Sequence, residues 1–216
     1  MKCILTNKQM YMRFLFLLIT MLLYRGLAFS QTNDLSQGEM DSFKARCIEY
    51  MNAFQKGLEI IADKDKSEIV KQHQVSVLLT FFMGKGEPYV DVNGKRYPAV
   101  EMEVSTVNYG KVVEKKSMPI KQYFENLKAL QYVSVKITQA KTCVISNLYK
   151  TSDNRYQATV SYFQYFEGKR ADKTFYRDRT QKDVKVYLTK VTDGDLGTFW
   201  DLKFGDINVV ETVRLF

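Results

Sequence analysis

The sequence predicts an α+β fold, three helices packed in a curved antiparallel sheet, and two observations carry that prediction. From Gln131 to Val213 four runs alternate apolar and polar residues with a period of two, the spacing that puts every second side chain on one face of a strand. Upstream, three stretches place apolar residues three and four apart, the spacing of a helix stripe. Alternation this regular implies one packed and one wet face, so the upstream helices must cover the packed one.

Met1 to Ser30 reads as a signal peptide. Lys2, Lys8 and Arg13 form a basic start, Phe14 to Leu23 is a ten-residue apolar core, and Ala28-Phe29-Ser30 offers the small residues a signal peptidase reads, with cleavage expected before Gln31. A membrane anchor needs roughly 20 apolar residues, and Arg25 interrupts this one. The mature chain is therefore expected in the periplasm or secreted, touching the membrane only through that transient peptide. Its loss removes four cations and no acid, so the formal charge falls from +8 to +4. Residues 31–216 read as one domain, because no Pro/Ser-rich linker, repeat or low-complexity run divides them. Cys47 and Cys143 sit in apolar stripes and are expected as inert buried thiols rather than a bridge.

Ser36 and Glu39 form a capping-box pattern ahead of a first helix. That helix gathers Phe43, Cys47, Tyr50, Met51, Phe54, Leu58 and Ile61 on one stripe, with Gly57 marking close packing or a bend. Asp63 to Ser67 breaks the pattern. A second helix is expected from Glu68 to Met83, with Val70, His73, Val77 and Phe81 on its face. Gly84 and Gly86 end it, and without a strand before and a helix after they lack the setting of a phosphate cradle.

Asn93-Gly94 between Tyr89–Val92 and Lys95–Tyr97 predicts a hairpin with a two-residue turn, since both turn positions require positive φ. Pro98 confines that hairpin to an edge. The strand continues through Val100, Met102 and Val104, with Glu101 and Glu103 solvated on its other side. Ser117 reads as the cap of a third helix with Pro119 in its first turn and Ile120, Tyr123, Phe124, Leu127 and Leu130 on its stripe.

Four strands follow. The first carries Val133, Val135 and Ile137 on one face and resumes with Cys143 and Ile145. The second turns Tyr156, Ala158, Val160 and Tyr162 inward, and the third Val184, Val186 and Leu188. In the fourth, Trp200, Leu202 and Phe204 face in until Gly205-Asp206 shifts the phase to Ile207 and Val209, which points to a bulge.

Helix, helix, hairpin, helix and four long strands is an order that resembles the nuclear transport factor 2-like family, the cystatin-like cone in which a curved sheet wraps around helices. The resemblance spans about Ser36 to Val213 and rests on element order, not on a motif. It implies a cone pocket, in a family that holds isomerases, dehydratases, binding modules and secretion-apparatus subunits. None of the enzymes' catalytic patterns maps onto residues of this chain, and fold alone does not carry function.

His73 is the only histidine, which excludes multi-histidine metal sites, and neither a metal nor another cofactor is expected. In an apolar stripe it reads as a core histidine before it reads as a general base. Tyr50, His73, Tyr123 and Trp200 are the candidate pocket residues. No serine or cysteine nucleophile has a recognisable setting. The other unusual stretch is Tyr162 to Lys182, where Tyr162, Phe163, Tyr165 and Phe166 occupy both faces of one strand and call for a bulge or a partner. Lys169, Arg170, Lys173, Arg177, Arg179 and Lys182 then face only Asp172 and Asp178, a local excess equal to that of the whole mature chain. They form a candidate partner-binding arm for an envelope protein or an anionic envelope surface, or else one edge of a solvated hairpin; an exported chain rarely meets nucleic acid.

The function expected is that of a small exported binding or scaffold module without a catalytic constellation. Two rivals stand beside it: a lyase or isomerase acting in the cone pocket, and a membrane-tethered secretion-apparatus assembly subunit, which needs the N-terminal segment uncleaved. Monomer and homodimer are both compatible with the sequence.

Overall fold

The computed structural model describes residues 35–91, 94–108, 111–139, 143–152, 154–171 and 175–215. The signal-peptide segment, Asn93 of the expected turn, and Asp172 and Lys173 of the arm lie outside the described residues. Helix α1 (Gln37–Ala62) buries Phe43, Cys47, Met51, Phe54, Leu58 and Ile61, the stripe its spacing predicts, while Tyr50 is half-buried. Helix α2 (Glu68–Leu79) is capped by Ser67, whose Oγ accepts the Val70 N–H at 3.4 Å.

Its packed face is not the expected one. Lys71, Val75 and Leu78 are buried, whereas Val70 is 44% exposed and His73 lies on the solvent side. Gly57 fixes that rotation: a Cβ there would stand 2.6 Å from Leu78 Cδ2 and 2.8 Å from Gln74 Nε2, so the bare backbone of α1 admits Leu78. Gly57→Ala is expected to cost about 1–3 kcal/mol because the gain in helix propensity is smaller than the overpacking. A urea midpoint equal to that of the parent protein would show that Leu78 and Gln74 move aside freely.

The second helix also stops four residues early. Chain reversal follows through a 3-10 turn (Met83–Gly86) in which Gly84, Lys85 and Gly86 all have positive φ, at 61°, 53° and 81°. Strands β1 (Tyr89–Val90) and β2 (Arg96–Tyr97) then pair as a separate two-stranded sheet. Their register sets Tyr89 against Tyr97 and Val90 against Arg96, so Asp91 faces Lys95 and the loop is three residues long, not two. Gly94, at φ 78°, takes the left-handed position of that longer loop.

Strands β3 (Glu101–Asn108) and β4 (Lys111–Pro119) form a second hairpin that the sequence does not announce. Ser117 and Pro119 belong to β4, and helix α3 (Ile120–Lys128) begins after them, with Pro119 at its cap position and no side-chain capping bond. The strand wins because Ser117 pairs with Glu103 across the ladder. Glu103, expected in solvent, is half-buried and accepts the Val209 N–H at 2.7 Å, beside an irregularity in the last strand.

The first of the four expected strands is divided into β5 (Ser134–Gln139) and β6 (Val144–Ile145), a further short strand β7 (Tyr149–Ser152) follows, and all three lie along β8 (Arg155–Lys169). β8, β9 (Phe175–Asp193) and β10 (Gly197–Arg214) form the predicted antiparallel meander. Its inner face holds Tyr156, Ala158, Val160 and Tyr162, then Val184, Val186 and Leu188, then Leu202 and Phe204. The register of β9 and β10 shifts between Phe204 and Ile207, the bulge expected at Gly205-Asp206. The large sheet runs β4-β3-β10-β9-β8-β5 and is mixed rather than antiparallel, because β3 covers the free edge of β10 in the same direction. The fold is α+β, with three helices and one large mixed sheet among the described residues.

Candidate functional site

A cavity of about 470 Å³ lies between α3 and the inner face of β3, β5, β8 and β9. Its walls are mostly apolar: Val104, Met118, Leu127, Leu130, Ile137 and Phe166, with the rings of Tyr123, Tyr132 and Tyr176. Among the polar side chains that break that lining, Gln164 from β8 and Asp178, Thr180 and Lys182 from β9 are buried. They share the inner face because a strand repeats every two residues, so Asp178, Thr180 and Lys182 continue the row of Val184, Val186 and Leu188.

Lys182 is 4% exposed. Its Nζ lies 3.6 Å from Met102 Sδ and 5.7 Å from the centroid of the Tyr123 ring, and among the described residues it makes no ion pair. Burial lowers its pKa to about 8, against the opposing pull of Asp178 and Glu103. Asp178 has the mirror-image shift: burial raises it, while hydrogen bonds from Tyr176 and Thr180 and the charge of Lys182 draw it down. The Tyr176 and Tyr123 hydroxyls are both pushed up, by burial first and by Asp178 second.

A line of hydroxyls crosses the floor. Thr180 Oγ1 donates to Asp178 Oδ1 at 3.4 Å, and it meets Thr212 Oγ1 at 3.1 Å, which in turn touches Ser105 Oγ. Each hydroxyl has one proton, so the donation to Asp178 orders the chain from Ser105 through Thr212 and Thr180 to the carboxylate. Such a chain holds a buried carboxylate and also conducts proton rearrangement. On the β8 side, among the described residues, Gln164 Nε2 is buried without a partner, as is Oε1 of Gln139, which faces it across the ladder, and so is the hydroxyl of Tyr162, directly opposite Lys182.

Of the residues expected in a pocket, only Tyr123 lines this one. Tyr50 stacks on Phe81 at 4.9 Å and meets Phe204 edge-on at 6.1 Å, inside the aromatic core. His73 is exposed on α2 and does not line this cavity, because the helix presents a different face. Trp200 is half-buried beside a separate hollow of about 270 Å³ shared with Phe43, Arg46 and Leu188. A further hollow of about 380 Å³ lies over the outer-face residues Arg155, Gln157 and Tyr187, under the stacked Tyr89–Tyr97 pair.

The expected arm is split by strand parity. Arg170 stands over the Tyr132 ring at 5.6 Å on the rim of the main cavity, and Lys182 is inside it, not on an exposed arm. Arg179 covers Phe163 at 5.1 Å; Arg177 covers Phe175 at 4.6 Å and pairs with Glu167 at 3.6 Å. Lys169 is exposed. On the outer aromatic face of β8, Phe163 is thus covered by Arg179 of the neighbouring strand.

Cys47 and Cys143 are both free. Burial, then the neighbouring Cys143, pushes Cys47 up to about 12, and burial raises Cys143, which is only half-buried. Neither thiol has the thiolate character that reactivity needs. Among the described residues no cluster of His, Cys, Asp or Glu is placed to hold a metal ion, and no helix is long and apolar enough to cross a membrane.

Comparison with protein-family models gives no match, and neither the curated proteins nor the solved structures yield one.

Proposed function

We propose that this protein is an exported binding module of the nuclear transport factor 2-like cone type, whose cavity takes a small, mostly apolar molecule by an oxygen-acceptor end. Buried Lys182 supports this reading most directly. A buried amine without a direct ion pair costs the fold stability, and strongly perturbed buried groups in a cavity mark candidate ligand sites. The cavity has the size and the lining of a small-molecule site, apolar walls with a few convergent polar groups. Lys182 and Gln164 are donors there, so the ligand end that suits them is a carbonyl or carboxylate oxygen. Export, cleavage before Gln31 and an envelope setting belong to the same proposal.

A second reading, a lyase or isomerase moving protons in the cavity, is favoured by Asp178. Its raised pKa and ordered hydroxyl chain are what a buried general acid or base needs. Native mass spectrometry of protein from the native host separates the readings. A binding module is expected to retain a small organic molecule, with Lys182→Met and Gln164→Leu each weakening retention about tenfold or more, as for loss of a buried hydrogen bond to a charged or amide group. Equal retention by both variants would sink the proposal. Loss of turnover in Asp178→Asn with retention intact would favour the enzyme.

A further inference from the structure

We propose that Lys182 is a covalent capture residue, forming an imine with a small apolar aldehyde or ketone in the main cavity; the inference rests on the cavity-binding reading above. The amine is buried on the wall of the cavity in a weakly polar setting. A thioether sulfur, Met102 Sδ, lies 3.6 Å away and the Tyr123 ring 5.7 Å away. The cross-strand neighbours are Tyr162 and Val209. The charged groups that act on it, Asp178 and Glu103, make no ion pair with it. Burial lowers its pKa to about 8, which leaves a usable fraction of free amine near neutrality.

The chemistry balances without any added oxidant or reductant. The nitrogen lone pair attacks the carbonyl carbon, a C–N bond forms, and the oxygen takes up a proton while the nitrogen releases one. The carbinolamine hydroxyl then leaves as water as the C=N bond closes, so amine plus carbonyl gives imine plus one water. The proton that the departing hydroxyl carries off is the one the nitrogen gives up, passed through solvent, so the step consumes no protein group. Ligand class follows from the lining: an apolar body for the walls and one carbonyl for the amine.

The test uses the purified protein with 2-naphthaldehyde and sodium cyanoborohydride at pH 7, the reduced adduct being located by peptide mass spectrometry. Lys182 is expected to be labelled about tenfold or more faster than exposed Lys116, since a lysine of ordinary pKa is almost wholly protonated there. Excess 2-naphthoate, which has an acceptor end but forms no imine, should protect Lys182 alone. Lys182→Met should lose the fast-labelling site. If naphthoate binds yet Lys182 is labelled no faster than Lys116, covalent capture is wrong and the binding reading stands. If neither probe binds, the cavity reading fails and covalent capture fails with it.

Discussion

Phe204→Ala is expected to lower stability by about 3–5 kcal/mol, and Trp200→Ala by only about 1–2 kcal/mol, although both belong to the same strand face. Phe204 is fully buried and lies 5.7 Å from Phe82, 6.1 Å from Phe54 and Tyr50, and 6.4 Å from Phe81, centroid to centroid. Its backbone N–H also donates to Phe81 O at 2.7 Å, which fastens the end of α2 to the sheet. Removing that ring leaves a void walled by four aromatics, two from α1 and two from the segment after α2, and no single neighbour can fill it. Trp200 is half-buried, with Tyr156 edge-on at 5.6 Å and Lys190 5.7 Å from its ring centroid. Solvent already reaches the indole, so truncation loses area without opening a closed cavity. Urea melts of the two variants decide the matter, and equal losses would mean that the core extends to the Trp200 end of the sheet.

The difference between these residues shows where the sequence was legible. Period-two alternation located β8, β9, β10 and the Gly205 bulge because those strands bury apolar side chains in strict register. It placed Trp200 on the right parity but could not show that the helices stop short of covering it. The third helix gave its stripe correctly and its start wrongly, since Ser117 and Pro119 suit a helix cap as well as an edge strand. The face of α2 was misread for a reason that lies in another element: Gly57 admits Leu78, and that contact turns His73 to solvent. β4 escaped because its sequence, Lys111–Pro119, is rich in charge, as suits an edge strand.

The cavity floor was hidden by its own chemistry. Continuing the parity of Val184 back by two, four and six residues reaches Lys182, Thr180 and Asp178, and continuing that of Tyr162 forward reaches Gln164. Reading burial from apolar letters alone stops at Val184 and assigns the rest to a charged arm. A functional site is where local sequence rules and burial disagree, so the disagreement at Lys182 was the signal that the alternation held.

Lys182→Met is expected to raise stability at pH 7 by about 2–3 kcal/mol while weakening ligand retention about tenfold or more, a combination that a structural lysine would not give. Methionine has similar length, brings no charge, and would meet Met102 and the Tyr123 ring with an apolar end. The sign follows from the depressed pKa. In the unfolded chain Lys182 binds its proton at the ordinary 10.5, and in the fold only at about 8. Above the ordinary value both states are neutral and the residue is harmless. As pH falls from 10.5 to about 8 the unfolded chain takes up the proton first, so the fold loses stability through that window, and below about 8 the penalty is constant. Part of the gain in the variant is offset at Asp178, which loses its nearby cation and holds its proton still more tightly. Tyr123, Tyr162 and Tyr176, all raised by burial, add an opposite slope at high pH, and comparing variant with parent cancels it. The stability advantage of Lys182→Met should therefore be flat from pH 6 to 8 and vanish towards pH 10.5. A variant less stable than its parent at pH 7 would make Lys182 part of the scaffold, and the cavity would lose its reason for holding a buried amine.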